Sequence, residues 1–182
     1  DSIQSLHGTS RGKVPEVFVD GQAGFGKALQ LSGANFVEIT GSASTLRFAS
    51  NSLSIAGWFK VDAFDKSWQA LISKGEGTNY RIARRGTGNN IAYAGGVGEG
   101  ADDVPVITNG WHHFVAVTDA TGAKFGTALY VDGVMRGINT NKAVLAAGTS
   151  NLFIGENPGA LGRQWKGAID DVALWDRVLS PT

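Results

Sequence analysis

Apolar and polar residues alternate along almost the whole chain, and helical periodicity is nearly missing. In SLSIAGWFKV (52–61), Leu53, Ile55, Gly57, Phe59 and Val61 alternate with Ser52, Ser54, Ala56, Trp58 and Lys60. That two-residue period predicts a half-buried strand. KALQLSG (27–33) and NFVEIT (35–40) read as short strands split at Ser32-Gly33. QALISK (69–74) and NYRIARR (79–85) flank GEGT, a glycine-containing hairpin loop, and NIAYAGG (90–96) follows the turn GTGN. GWHHFVAVTD (110–119), SNLFIGE (150–156) and QWKGAIDDVALWD (164–176) read as further strands. TALYVDGVMRGI (127–138) is the clearest hairpin, because Asp132-Gly133 supplies the positive φ angles of a type I′ turn. Roughly eleven or twelve strands at this spacing predict an all-β, two-sheet antiparallel sandwich. Residues 1–16 read as an extended N-terminal arm, and EVFVDG (16–21) as either an edge strand or part of that arm. No linker or internal repeat divides the chain, so 1–182 reads as one domain.

Formal net charge is zero over 182 residues, which argues against a nucleic-acid surface. No apolar run approaches the roughly 20 residues of a membrane span, and no signal-type segment opens the chain. Cysteine is absent, so disulfides, zinc-thiolate sites and cysteine nucleophiles are excluded. Twenty-six glycines with only four prolines suit short strands and tight turns. The beginning at Asp1 and the end just after LSPT read as a domain excised from a longer protein.

The order of DGQAGFGKALQLSGANFVEI, SLSIAGWFK, ALISKG, YRI, GWHHFVAVTD, LYVDG, LFIG and GAIDDVALWDRVLS resembles laminin-G-like modules of the concanavalin A-like lectin/glucanase superfamily. The likeness spans about residues 17–181 and implies a jelly roll of two antiparallel sheets. It is far more specific for fold than for function.

Asp170 and Asp171 pose a problem inside an otherwise apolar strand, since an unpaired buried charge is costly. Alternation gives Asp171 the parity of Ile169 and Asp170 that of Val172, so one faces solvent and the other needs a partner. Calcium, which accepts six to eight oxygens including carbonyls, is a suitable one. The resemblance implies a structural Ca2+ joining a last-strand aspartate to carbonyls near the N-terminus. On matching positions these are Asp171 and the carbonyl of Phe25 or Gly26, with Asp20 as a further ligand. The alternative has both aspartates capping amides and pairing with Arg177 or Lys166.

Other chemistry is poorly represented. His112 and His113 are strand neighbours whose side chains diverge, so they cannot chelate one ion together. The superfamily's glucanases resemble one another in a Glu-x-Asp-x-Glu strand, and no glutamate here has an aspartate two positions away. Asp62 with Asp65, and Asp102 with Asp103, have the wrong spacing. There is no Gly-x-Ser-x-Gly elbow, and GGVGEG (95–100) lacks a phosphate-binding lysine.

Trp58, Trp111, Trp165 and Trp175 fall where the family that the chain resembles has core or sheet aromatics, whereas Trp68 lies in the loop-like DAFDKSWQ. Arg81 and Arg85 share parity beside Tyr80 and Tyr93, and paired guanidiniums suit acidic or sulfated sugars. Trp68, Arg81, Arg85 and Tyr93 are therefore the candidate ligand-binding residues. The sequence reads as a non-catalytic module of an exported bacterial protein, attaching to polysaccharide or to a protein partner. The rival readings are an enzyme with a dispersed site and a spacer without a ligand.

Overall fold

The computed structural model describes residues 6–49, 51–99 and 110–180. Asp102, Asp103 and the end of GGVGEG lie outside them. Strands β1 (Gly8–Gly12), β2 (Val17–Asp20), β3 (Lys27–Ser32) and β4 (Asn35–Ile39) lead to one helical turn, α1 (Ser42–Thr45). Then follow β5 (Leu53–Val61), β6 (Ala70–Ser73), β7 (Tyr80–Arg84), β8 (Ile91–Gly95) and β9 (Trp111–Thr118). The last four are β10 (Thr127–Val131), β11 (Val134–Asn139), β12 (Leu152–Ile154) and β13 (Lys166–Trp175). They form a six-stranded sheet, β1-β4-β12-β6-β7-β8, and a seven-stranded sheet, β11-β10-β9-β5-β13-β3-β2, with every named pairing antiparallel.

The core lies between the sheets, where alternation sends Ile55 and Phe59 of β5 against Ile82 and Tyr80 of β7. Trp165 is fully buried, edge-on to Phe59 and Phe64, and its indole N–H donates to the Lys60 carbonyl at 3.2 Å. Asp132 and Gly133 adopt φ 52° and 76° between directly paired Val131 and Val134, as the Asp-Gly signal requires. Their turn has a second use. Asp132 Oδ1 accepts from the His113 amide at 2.9 Å, and Oδ2 lies 2.8 Å from His112 Nδ1. His112 packs on Phe59 in the core and His113 on Trp58 outside, so the two rings do diverge.

Within the expected arm, Gly8–Gly12 pairs with β4 as an edge strand. More consequentially, β13 does not keep one period. Asp170 pairs with Trp58 and Ala173 with Ala56, so two residues of β13 bulge opposite Gly57. Asp171 sits in the bulge at φ 47°. Ile169 and Val172, three positions apart, consequently both pack on the core.

Lys74 is buried beside α1, and its ammonium donates to the carbonyls of Ser42, Ala43 and Ser150 at 3.0, 3.0 and 2.6 Å. Burial, aided by the Arg47 charge, lowers its pKa to about 8. Above pH 8 the unfolded lysine still holds a proton that the folded one sheds, so folding stability rises with pH through this interval. Lys74→Met removes that dependence. Wild type should therefore gain stability relative to Lys74→Met from pH 8 toward pH 10 in chemical denaturation, and a constant difference would refute the assignment.

Candidate functional site

Trp68 and Arg81 meet on the six-stranded sheet, on the side away from the core. Tyr80 and Ile82 point inward, so Arg81 points outward from β7. Its guanidinium stacks over the Trp68 ring, 4.8 Å from the centroid. Trp68 holds a positive φ of 57°, and its amide donates to Gly86 O at 2.9 Å. Gln69, fully buried, fixes the same loop: Oε1 accepts from Lys66 N and Nε2 donates to the Ala63 and Gln164 carbonyls. Strain of this kind persists only where surrounding contacts over-determine the loop.

Arg81 is charge-balanced. Its Nη1 donates to Glu76 and its Nη2 to Glu99. Glu76 Oε1 also accepts from Arg163 Nη1 and Asn157 Nδ2, both at 2.9 Å. Arg163 and Asn157 come from the loop between β12 and β13, which another glutamate organises. Fully buried Glu156 accepts the amides of Asn157, Gly162 and Arg163 at 2.8, 3.1 and 2.9 Å, and also the Gln164 side chain. The result is a half-buried indole beside two guanidiniums, two carboxylates and an amide.

The other candidates fall elsewhere. Tyr93 is no surface residue: it faces inward, and its hydroxyl lies 2.7 Å from Thr118 Oγ1 on the opposite sheet. Burial pushes its phenol well above the usual range. Arg85 lies one residue past β7, exposed in the turn to β8. Among the other tryptophans, Trp165 belongs to the core, while Trp58, Trp111 and Trp175 remain half-buried. Glu76, Glu99, Asn157 and Arg163 were not singled out by sequence. Contacts across 5, 18, 81 and 87 residues leave no local pattern.

Of the two aspartates, Asp170 is the buried one, not the Asp171 that the family resemblance pointed to. Asp171, displaced by the bulge, is exposed, whereas Asp170 is only 9% exposed on the outer side of β13. Asp170 Oδ1 accepts the Asp171 amide at 2.9 Å, and Oδ2 is buried without a hydrogen-bond partner. Burial raises the Asp170 pKa, Asp171's amide bond partly opposes this, and its charge adds to it. Oδ2 points at the Gly21–Gly26 bend. A Cβ at residue 21 would fall on it and would lie 3.2 Å from the Gly26 carbonyl. That carbonyl accepts the Gly21 amide at 2.9 Å, closing the bend. The Gly26 carbonyl, one of the expected donors, thus lies on the bend that faces Asp170. Asp20 does not: it is exposed, pairs with Lys27 at 2.5 Å across β2 and β3, and has its pKa lowered by that bond. Phe25, on the same bend, packs on Trp58 at 5.2 Å between ring centres.

Solved structures share this fold. Domain 4 of AbnA, an extracellular arabinanase from Geobacillus stearothermophilus in complex with arabinotriose, aligns with TM-score 0.70 and 20% identity over 96% of this chain and 84% of that one. The binding domain of Paraclostridial Mosquitocidal Protein 1 aligns with TM-score 0.65 and 14% identity over 95% and 45%. A putative carbohydrate-binding protein from Bacteroides ovatus aligns with TM-score 0.57 and 20% identity over 83% and 42%. This chain thus spans less than half of the last two. No curated protein matches its sequence. Residues 31–182 match a laminin-G model described as the concanavalin A-like lectin/glucanases superfamily, and the chain belongs to that superfamily.

Proposed function

We propose that this domain is a non-catalytic module that binds a neutral glycan at Trp68, on the outside of the six-stranded sheet. The observation that carries the reading is the charge-balanced cluster around the indole. An aromatic face packs on the apolar face of a sugar, and fixed carboxylate, amide and guanidinium groups can bond its hydroxyls. Arg81 is already engaged by two carboxylates, so the cluster suits a neutral sugar better than the acidic or sulfated one expected from an arginine pair. Glu76 and Glu99 each bond a guanidinium, an arrangement that favours holding a ligand over an acid/base pair. Arabinotriose in AbnA domain 4 is a neutral oligosaccharide, and the arabinanase is extracellular, which supports export of this chain within a larger protein.

Titration calorimetry with arabinotriose and a panel of neutral, uronic and sulfated oligosaccharides tests this reading. A neutral sugar should bind, and Trp68→Ala should weaken it by about 1–3 kcal/mol, the scale of a lost aromatic contact. Unchanged affinity in Trp68→Ala and Arg163→Ala would move the site elsewhere. Turnover of any of these sugars would establish an enzyme.

A structural calcium belongs to the same reading, with Asp170 in place of Asp171. Among the described residues no three acidic or histidine side chains converge. A cation would therefore take Asp170 Oδ2 and backbone carbonyls, Gly26's among them, which suits the oxygen-only preference of calcium. Bound there, it would neutralise the buried carboxylate.

A further inference from the structure

Between β4 and β12 on one sheet and the last turns of β13 on the other lies a cleft of about 1010 Å³. That is the upper end of the size range for small-molecule sites. Leu46, Phe48, Ile154, Val172 and Leu174 are continuous with the core yet only partly buried, and all five line this cleft with Trp175. Phe48 holds a positive φ of 45°, an unusual conformation for a bulky residue. The carbonyl next but one before it, that of Leu46, accepts the Tyr80 hydroxyl at 2.7 Å, anchoring this wall to the core. Arg47 and Arg177 also line the cleft. Among the described residues neither guanidinium pairs with a carboxylate, although Asp176 lies on the same rim. This place is distinct from the Trp68 cluster and from the Gly21–Gly26 bend.

We infer that this cleft binds a single-chain amphiphile with an anionic head, its apolar chain entering between the sheets toward Val172 and Leu174 and its head meeting Arg47 and Arg177. Apolar side chains left half-exposed gain by covering. Two rim guanidiniums select the sign of the head group, since a carboxylate or phosphate satisfies a guanidinium fork. An apolar ligand without charge would leave them unanswered.

The full 182-residue chain should be titrated with dodecanoate and dodecanol, which share a chain and differ in the head. Saturable one-to-one binding of dodecanoate is expected, with dodecanol weaker by roughly two- to tenfold, the scale of exposed charge contacts. The double variant Arg47→Gln/Arg177→Gln should lose that preference. Val172→Phe should lose both ligands by filling the cleft. If Val172→Phe does not fold, the arginine variant decides alone. Absence of saturable dodecanoate binding would overturn the inference, as would equal affinity for dodecanol. So would binding only to phosphatidylglycerol vesicles, because that is adsorption to a surface and not entry of a chain.

Discussion

Chelation should lower the melting midpoint by roughly 5–10 °C relative to calcium-loaded protein, and Asp170→Asn should erase that difference while Asp171→Asn preserves it. An ion bound only by the folded state stabilises it by about 2.7 kcal/mol at a hundredfold excess over Kd. The two variants part because the bulge separates the side chains. Asp170 Oδ2 is buried against the Gly21–Gly26 bend without a hydrogen bond, and Asp171 faces solvent. In chelator, Asp170→Asn should be at least as stable as wild type, because an amide enters the same cradle without an uncompensated charge. Gly21→Ala places a methyl where Oδ2 lies and should also blunt the calcium response. Coincident melting curves for wild type with and without calcium would sink the cation. A response lost in Asp171→Asn but kept in Asp170→Asn would restore the assignment that the family resemblance suggests.

Glu156→Ala should cost roughly 2–4 kcal/mol in chemical denaturation, among the larger single effects available in this fold. Its carboxylate is fully buried and accepts three backbone amides and the Gln164 side chain. Removing it leaves those donors without an acceptor, and each unsatisfied buried group carries its own desolvation cost. The loop then loses the geometry that brings Asn157 and Arg163 to Glu76. Sugar affinity at Trp68 should therefore fall in the same variant. A stability change within about 0.5 kcal/mol, the range of ordinary surface substitutions, would show that the loop holds itself without Glu156.

The features legible in the sequence were those written by short-range rules. Alternation in SLSIAGWFKV placed Ile55 and Phe59 in the core, and Asp132-Gly133 marked its hairpin. The same rule stopped where its period broke: parity left open which aspartate faces solvent, the family resemblance pointed to Asp171 as the ligand, and a bulge turns Asp171 out. Tyr93 alternates like a surface or a core residue alike, and only the Thr118 hydroxyl across the sandwich explains its polar end. Loop position singled out Trp68 and parity singled out Arg81 with Arg85, but neither the Trp68–Arg81 stack nor the two glutamates that neutralise Arg81 could be read. Ion pairing across loops depends on closure of the whole sheet. Glu156 did leave a trace, since a glutamate opening the turn-rich ENPGALGR can gather loop amides.

The first two strands carry a consequence for self-association. β1 lies on β4 at the border of one sheet, and β2 lies on β3 at the border of the other. Residues 8–20 thus cross from sheet to sheet around the β3–β4 corner, where the Lys13 amide reaches the Ala34 carbonyl at 3.3 Å. They cover two neighbouring rows of backbone donors and acceptors at once. The family match starts at residue 31, beyond both strands. A chain trimmed ahead of Lys27 would keep its core while baring both rows together, and a bare strand edge is a template for another chain. Backbone coverage needs little from side chains, which is why GTSRG can serve with almost no apolar pattern. In the intact chain β1 and β2 form these edges themselves, and strands as short as five and four residues make poor templates for another chain.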